Sequence, residues 1–337
     1  MQPFEHIKAK TIDEAVKLCA GSPGQSRFIA GGTDFLTEIK EGVVSPQRII
    51  DLGGIPELRG IRETEEALAI GAMATIADIA SHPAIRQHYA ALAEAAAGLA
   101  TPQIRNLGTL GGNLNQRPRC WFYRNPLTVC LKKGGDQCYA LAGHSDHLCV
   151  IGGAGCYIAH PSDTAVVLVM LDALIEIAGP SGMRILPIEQ YFAGPDINVI
   201  KENILSPGEL VTRVYLQFPV DSGPPIEEFS SIYLKGRERQ GGDFAVASVA
   251  ASLTLDGQTV RNMPVVLGGV APVPFRARRV EEYLRGRPLD NVNPAYAAGL
   301  ALAGASPMAG NSHKVTVAIN LTKQAIIWLI KNGARNK

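Results

Sequence analysis

The 337-residue chain has no run of 18 uninterrupted apolar residues, so no membrane-spanning helix is expected. Neither charge is in excess: 32 Lys and Arg stand against 31 Asp and Glu, a net charge of +1. That balance gives no footing for nucleic acid or an anionic membrane as a partner. The opening MQPFEHIKAK lacks a basic stretch followed by an apolar one, so no secretory signal is expected and the cytoplasm is the expected compartment. G-x-G-x-x-G and G-x-x-x-x-G-K-[ST] are both absent, which argues against standard dinucleotide and P-loop binding. Paired C-x₂₋₄-C knuckles, the usual signature of structural zinc, are absent too. What remains is an ordinary globular composition, 46% apolar, long enough for two or three domains.

Cysteine is unevenly distributed. Cys19 stands alone in a helical pattern and reads as a small buried apolar residue. The other five, Cys120, Cys130, Cys138, Cys149 and Cys156, share one stretch, RCWFYRNPLTVCLKKGGDQCYALAGHSDHLCVIGGAGCYI. Such confinement in a chain this large argues against a disulfide framework and for a metal or cluster. The intervals x₉, x₇, x₁₀ and x₆ are loose for zinc. An all-thiolate iron–sulfur cluster tolerates them, because its cuboidal core presents well-separated irons. A catalytic thiol would need a base beside it, and His144 and His147 read as solvated members of the loop AGHSDH. Gly134, Gly135, Gly152, Gly153 and Gly155 would let backbone N–H groups point at sulfurs, while Lys132, Lys133 and Arg119 would offset a cluster's negative charge. Spacing alone leaves cluster, zinc and structural thiols open, and five thiols are one too many for either metal.

Along the chain, Thr11 reads as an N-cap with Glu14 completing a capping box. SRFIAGGTDFL reads as strand, tight glycine turn and helix start. RIIDL and LAIGA read as strands, and residues 78–100 as one long alanine-rich helix. A second glycine turn, NLGTLGGNL, follows. After the cysteines come a helix, a strand, a turn at Gly179-Pro180-Ser181-Gly182 and another strand. DSGPPIEEF, residues 221–229, is the best linker. Beyond it lie two strands around an Asp-Gly hairpin turn, then helices in RARRVEEYLRG and over 314–332. The class is α+β, in two domains meeting near residue 222. In both glycine turns, adjacent glycines remove the Cβ atoms that block an oxyanion, and successive N–H groups can form a nest for a diphosphate. Thr33, Thr109 and Asn113 would add side-chain hydrogen bonds.

Taken in order, RFIAGGTDFLTEIK, QIRNLGTLGGNL, HPSDTAVVLVMLDA, ILSPGEL, YLKGRERQGGDFAVASVA and VVLGGVAPVPFRA resemble the FAD-binding medium subunits of molybdenum hydroxylases, the xanthine dehydrogenase and aldehyde oxidoreductase group. The resemblance spans essentially the whole chain. It implies a PCMH-type, vanillyl-alcohol-oxidase-like FAD-binding domain of two α+β subdomains over residues 1–222, then a C-terminal α/β domain of the CO dehydrogenase flavoprotein type over 223–337. NQRPRCWFYR, CLKKGGDQC and CYIAHPSD look like the subset in which an insertion, here about 116–158, holds a [4Fe–4S] cluster. That subset comprises aldehyde oxidoreductases of the periplasmic type and 4-hydroxybenzoyl-CoA reductase. By this resemblance the ligands are Cys120, Cys130, Cys138 and Cys156, with Cys149 a buried bystander.

The same resemblance assigns FAD contacts. Arg27, Phe28, Ile29, Ala30, Gly31, Gly32, Thr33, Asp34 and Phe35 form the first diphosphate loop, and Thr109, Gly112 and Asn113 the second. Leu99 and Leu205 match apolar positions near the ring system, Asp163 an acid on cofactor hydroxyls, and Lys235 a cation near the flavin N1/O2 edge. Lys235, Arg239 and Asp243 otherwise read as members of a solvated loop. The implied role is an electron conduit with no catalytic residue of its own. A large partner would hold the molybdenum cofactor and a small partner two [2Fe–2S] clusters, in a heterotrimer or a dimer of heterotrimers, with an external electron acceptor or donor. The cytoplasm is the expected compartment, with the periplasm open only to a complex whose partner carries a twin-arginine signal. The competing expectations are a benzoyl-CoA-type reductase with inward electron flow, a zinc-stabilised binding module without flavin, and a vanillyl-alcohol-type flavoenzyme acting alone.

Overall fold

Thr11 ends an extended segment and starts the first helix, Ile12–Ala20, by accepting a hydrogen bond from Glu14 N at 3.1 Å. The Glu14 carboxylate returns to Lys10 N (2.8 Å), one residue short of a strict capping box. The computed structural model describes residues 1–218, 229–239 and 241–333. The first helix buries Ala15, Val16 and Cys19 with Ile50, Leu52 and Leu58. Beneath them lies a parallel sheet in the order Glu5–Lys8, Arg48–Asp51, Ser26–Ile29. Cys19 is the buried apolar residue expected.

A second, antiparallel sheet runs in the order Ile61–Glu63, Ala67–Gly71, Leu210–Gln217, Leu174–Gly179, Gly182–Pro187. A third centres on Ala247–Asp256, flanked by Ser230–Gly236, Thr259–Asn262 and Val265–Gly268. Gly257 takes φ +59° in the Asp-Gly hairpin. The 21-residue helix His313–Gly333 buries Ala318, Ala325, Ile326 and Leu329 with Val249, Ala251 and Leu253. This is the α+β arrangement expected. Among the described residues no helix is long and apolar enough to cross a membrane.

One expectation fails. Residues 78–100 do not form one long helix but lie in three short ones, Ile76–Ser81, Pro83–His88 and Ala90–Ala97. Pro83 has no N–H to continue the first helix and opens the second. Tyr89 breaks the next junction: its buried hydroxyl donates to Leu216 O (3.3 Å) and Gln217 O (3.1 Å). That anchor outweighs the helix propensity of the alanines around it.

The largest core joins Leu68, Ile70, Leu92, Val167 and Tyr191 to Tyr233, Ala250 and Val266. It thus includes residues on both sides of the expected linker. Of DSGPPIEEF only Phe229 is described; the rest, with the expected boundary at 222, lies outside the described residues. The cysteine segment has its own small core of Cys120, Tyr123, Ala140, Leu148, Cys156 and Ile158. Its end is hydrogen-bonded to the C-terminal part through Val150 N to Val270 O (2.8 Å), Ser306 N to Val150 O (2.7 Å) and Gly310 N to Ser145 Oγ (3.2 Å).

Candidate functional site: two glycine turns and a thiol cavity

Strand Ser26–Ile29 runs through Ala30, Gly31, Gly32, Thr33 and Asp34 into helix Phe35–Lys40. Gly32 adopts φ +71°, a left-handed conformation open to glycine. A Cβ on Gly31 would stand 1.9 Å from Leu107 O, so this turn lies directly on the end of helix Pro102–Leu107. That helix leads into the second glycine turn, so two motifs far apart in sequence meet in space. The N–H groups of Gly31, Gly32, Thr33, Asp34 and Phe35 have no acceptor among the described residues. These successive half-buried donors are what a diphosphate nest requires.

The second turn is built differently. Leu110 N bonds Ala74 O (2.9 Å), Gly111 N bonds Ala72 O (2.8 Å), Gly112 N bonds Thr109 Oγ1 (3.1 Å) and Asn113 N bonds Thr109 O (2.8 Å). Those N–H groups are taken, so the second nest expected from the glycines is not formed. The turn offers side chains instead. Asn113 Oδ1 accepts from Ser162 Oγ and Thr164 Oγ1, both at 2.6 Å, which leaves its amide nitrogen as a donor without a partner among the described residues.

Ser162 also caps helix Asp163–Met170 by accepting from Ala165 N at 3.1 Å. Asp163 follows at the helix start, buried. Its Oδ1 accepts from the Tyr233 hydroxyl at 2.7 Å, and its Oδ2 pairs with Lys235 Nζ at 2.6 Å. Lys235 lies on strand Ser230–Gly236 with its side chain 7% exposed, not in a solvated loop. Arg239 does remain solvated. Leu99 and Leu205 sit half-buried at the edge of the main core. Arg105 holds the carbonyl of Leu99 (2.8 Å) and Lys201 that of Leu205 (2.7 Å). Arg27 is exposed, and Phe28 and Ala30 pack on the N-terminal core.

A pocket with an empty volume of ≈ 720 Å³ is lined by Arg119, Cys120, His160, Ser162, Asp163 and Phe244, among others. Of the residues expected to hold FAD only Asp163 is on this wall. His160 was not singled out from the sequence, because a histidine beside a proline carries no burial signal. Its Nδ1 accepts from Ser162 N at 3.3 Å, so the neutral ring is assigned its proton at Nε2. Burial holds its pKa down to about 3, with Lys132 adding to the effect.

Cys120, Cys130, Cys138 and Cys156 line a second cavity, of empty volume ≈ 300 Å³, together with Phe122, Tyr123 and Lys132. Cys149 does not line it. That thiol is 1% exposed and pushed up to about 12 by burial, against the pull of Lys314. Among the described residues no three His, Cys, Asp or Glu side chains stand close enough to hold a single metal ion. The four thiols therefore surround a volume, not a point. The backbone N–H groups of Tyr123 and Phe122 favour the Cys120 thiolate, and that of Ile158 the Cys156 thiolate. None of these comes from the glycines expected to supply such donors. The glycines turn the chain: Gly134 has φ +86°, and a Cβ on Gly135 would meet Val129 O at 2.0 Å. Burial raises both thiols, Cys156 to about 11.

The cavity and the first glycine turn are fastened by Asp34. Its carboxylate accepts from Arg117 N (2.8 Å) and Arg124 Nη2 (2.8 Å) and pairs with Arg119 Nη1 (2.7 Å). Glu202, 4% exposed, pairs with Lys132 (2.6 Å) and Arg117 (3.1 Å). Tyr123 donates to Glu38 (2.6 Å) and accepts from Arg117 (2.9 Å). Burial pushes the Glu38 carboxyl up.

Comparison with known proteins agrees with this layout. Residues 2–219 match the family described as the FAD binding domain in molybdopterin dehydrogenase, and 232–329 the CO dehydrogenase flavoprotein C-terminal domain. The chain is 34% identical over 322 residues to the aldehyde oxidoreductase FAD-binding subunit PaoB of Escherichia coli (strain K12), covering 94% of this chain and 95% of that one. It is 26% identical over 328 residues to the carbon monoxide dehydrogenase medium chain of Hydrogenophaga pseudoflava, covering 96% of each. A solved structure of the carbon monoxide dehydrogenase from that organism, lacking the Mo-pyranopterin moiety, matches with a TM-score of 0.76 and 27% identity over 98% of this chain and 99% of that one. This chain belongs to the molybdenum hydroxylase family as a FAD-binding medium subunit, the flavoprotein part of an oxidoreductase.

Proposed function

We propose that this subunit carries one FAD and one [4Fe–4S] cluster and relays electrons between a partner's [2Fe–2S] clusters and an external acceptor. Substrate chemistry would take place at a molybdenum cofactor on a large partner, in a heterotrimer. The observation that carries the reading is the enclosure of one cavity by Cys120, Cys130, Cys138 and Cys156, without Cys149. Four thiols lining one cavity, with no point that three ligands share among the described residues, suit a cuboidal cluster better than a zinc ion. When bound, FAD and cluster supply two-electron and one-electron exchange.

The chain's own residues would do the following. The N–H groups from Gly31 to Phe35, with Arg27 at the entry, hold the diphosphate, and Thr109, Gly112 and Asn113 close over it. Leu99 and Leu205 exclude water from the ring. Asp163 takes cofactor hydroxyls while Tyr233 and Lys235 hold its carboxylate in place. Because Lys235 is paired, it meets the ring edge as half of an ion pair and not as a bare cation. Cys120 lines both cavities, which puts one side chain between the cluster and the Asp163 pocket. The likeness to an aldehyde oxidoreductase subunit favours outward flow from an aldehyde-type substrate over benzoyl-CoA-type reduction. Residues 1–222 and 223–337 would be the two domains, and the cytoplasm the site of cofactor insertion. The test is optical. The purified chain is expected to be yellow-brown, with flavin bands and a broad iron–sulfur shoulder that both bleach with dithionite. A colourless protein, or flavin bands alone, contradicts the proposal.

A further inference from the structure

We infer that Lys132 sets the reduction potential of the proposed cluster by holding one buried positive charge on the cavity wall, and that Glu202 moderates that charge. The inference rests on the cluster reading above. Of the cations near the thiols, Lys132 is the one whose side chain lines their cavity among the described residues. It does so because it follows Cys130 by two positions, in the tight turn Leu131–Lys133 that Gly134 ends. Its side chain is 1% exposed, so water and salt do little to screen it. Nζ donates to Val199 O at 2.7 Å and meets Glu202 Oε1 at 2.6 Å. Val199 O is the one hydrogen-bond acceptor that Nζ finds among the described residues, and the contact with Glu202 is an ion pair.

The neighbouring cations are engaged elsewhere. Arg119 and Arg124 are tied to Asp34. Lys133 lies outside the cavity, donating to Asn125 O at 2.5 Å on the exposed side. Arg117 holds the other oxygen of Glu202, so that carboxylate keeps a counter-charge even when Lys132 is replaced. Reduction adds one negative charge to a cluster ligated by four thiolates. A fixed buried cation stabilises the reduced form more than the oxidised one and raises the potential. A carboxylate beside that cation opposes it.

The test is a redox titration followed by electron paramagnetic resonance on the full chain, purified anaerobically with its iron. Lys132→Met is expected to disfavour reduction by roughly tenfold or more, ~59 mV downward for each factor of ten in a one-electron couple. Glu202→Gln is expected to move the potential upward, and Lys133→Met to leave it in place. An unmoved potential in Lys132→Met, or both cavity variants moving in the same direction, overturns the inference. If Lys132→Met fails to hold iron, Glu202→Gln decides: a downward shift or none overturns it. An unaltered chain with no iron–sulfur signal fails the cluster reading, and the inference with it. Iron present with unmoved potentials fails the inference alone.

Discussion

His160 is buried and neutral on the wall of the pocket that Asp163 also lines. Its folded pKa of about 3 lies below the ordinary 6.5, so between those values the unfolded chain binds more protons. Stability is complete above pH 6.5 and falls as the pH drops towards 3. At most about 2 kcal/mol is expected to be lost between pH 7 and pH 5, at 1.36 kcal/mol per unit. Urea unfolding at the two pH values measures it, and His160→Gln is expected to flatten the dependence. An equal slope in both proteins contradicts the assignment. His160 illustrates what single residues in a sequence do not disclose, since its burial comes from Phe192 and the HPSD turn folding over it. The Lys132–Glu202 pair is similar, its halves meeting only through tertiary structure. Asp163 and Lys235 were singled out only through the order of motifs along the chain. Their mutual pairing was not, because it joins a helix start to a strand.

At the level of elements, the two glycine turns have different physics despite similar wording. The first keeps its N–H groups open because Gly31 presses on Leu107 O and the chain swings through Gly32 before the helix begins. In the second, Thr109 and strand-end carbonyls take the N–H groups. Sequence can place glycine turns, but which donors stay open depends on what packs beneath them. Gly31→Ala would force its Cβ into Leu107 O, and overpacking of this kind costs about 1–3 kcal/mol. The expected outcome is loss of bound flavin from the purified variant together with a lower unfolding midpoint. Gly31→Ala with full flavin content contradicts the role given to this turn. The alanine-rich segment teaches the complementary lesson. Its composition reads as one helix, yet Pro83 and the anchored Tyr89 divide it.

For the molecule as a whole, order of motifs and class were legible, and the join between the halves was not. The main core includes Tyr233, Ala250 and Val266 with residues of the FAD-binding part. Ala91 N reaches Ser231 Oγ (3.4 Å) and Tyr233 N reaches Glu94 Oε2 (3.2 Å) across the expected boundary. The cysteine segment is held from the other side by Asn311, whose side chain donates to Cys149 O at 3.0 Å, and by Lys314, which donates to Leu148 O at 2.8 Å. A shared core implies shared cooperativity. Calorimetry of the apoprotein is expected to give one transition, and two resolved transitions contradict a common core.

The account turns on which thiols would hold the proposed cluster. Iron, acid-labile sulfide and flavin content of the chain with Cys149→Ser and with Cys156→Ser, prepared side by side, tests that most directly. Cys149→Ser is expected to keep iron, sulfide and flavin at the level of the unaltered chain, because its thiol lies off the cavity. Cys156→Ser is expected to lose iron and sulfide. Loss of iron from Cys149→Ser with retention in Cys156→Ser contradicts the account, as does an unaltered chain with no iron at all.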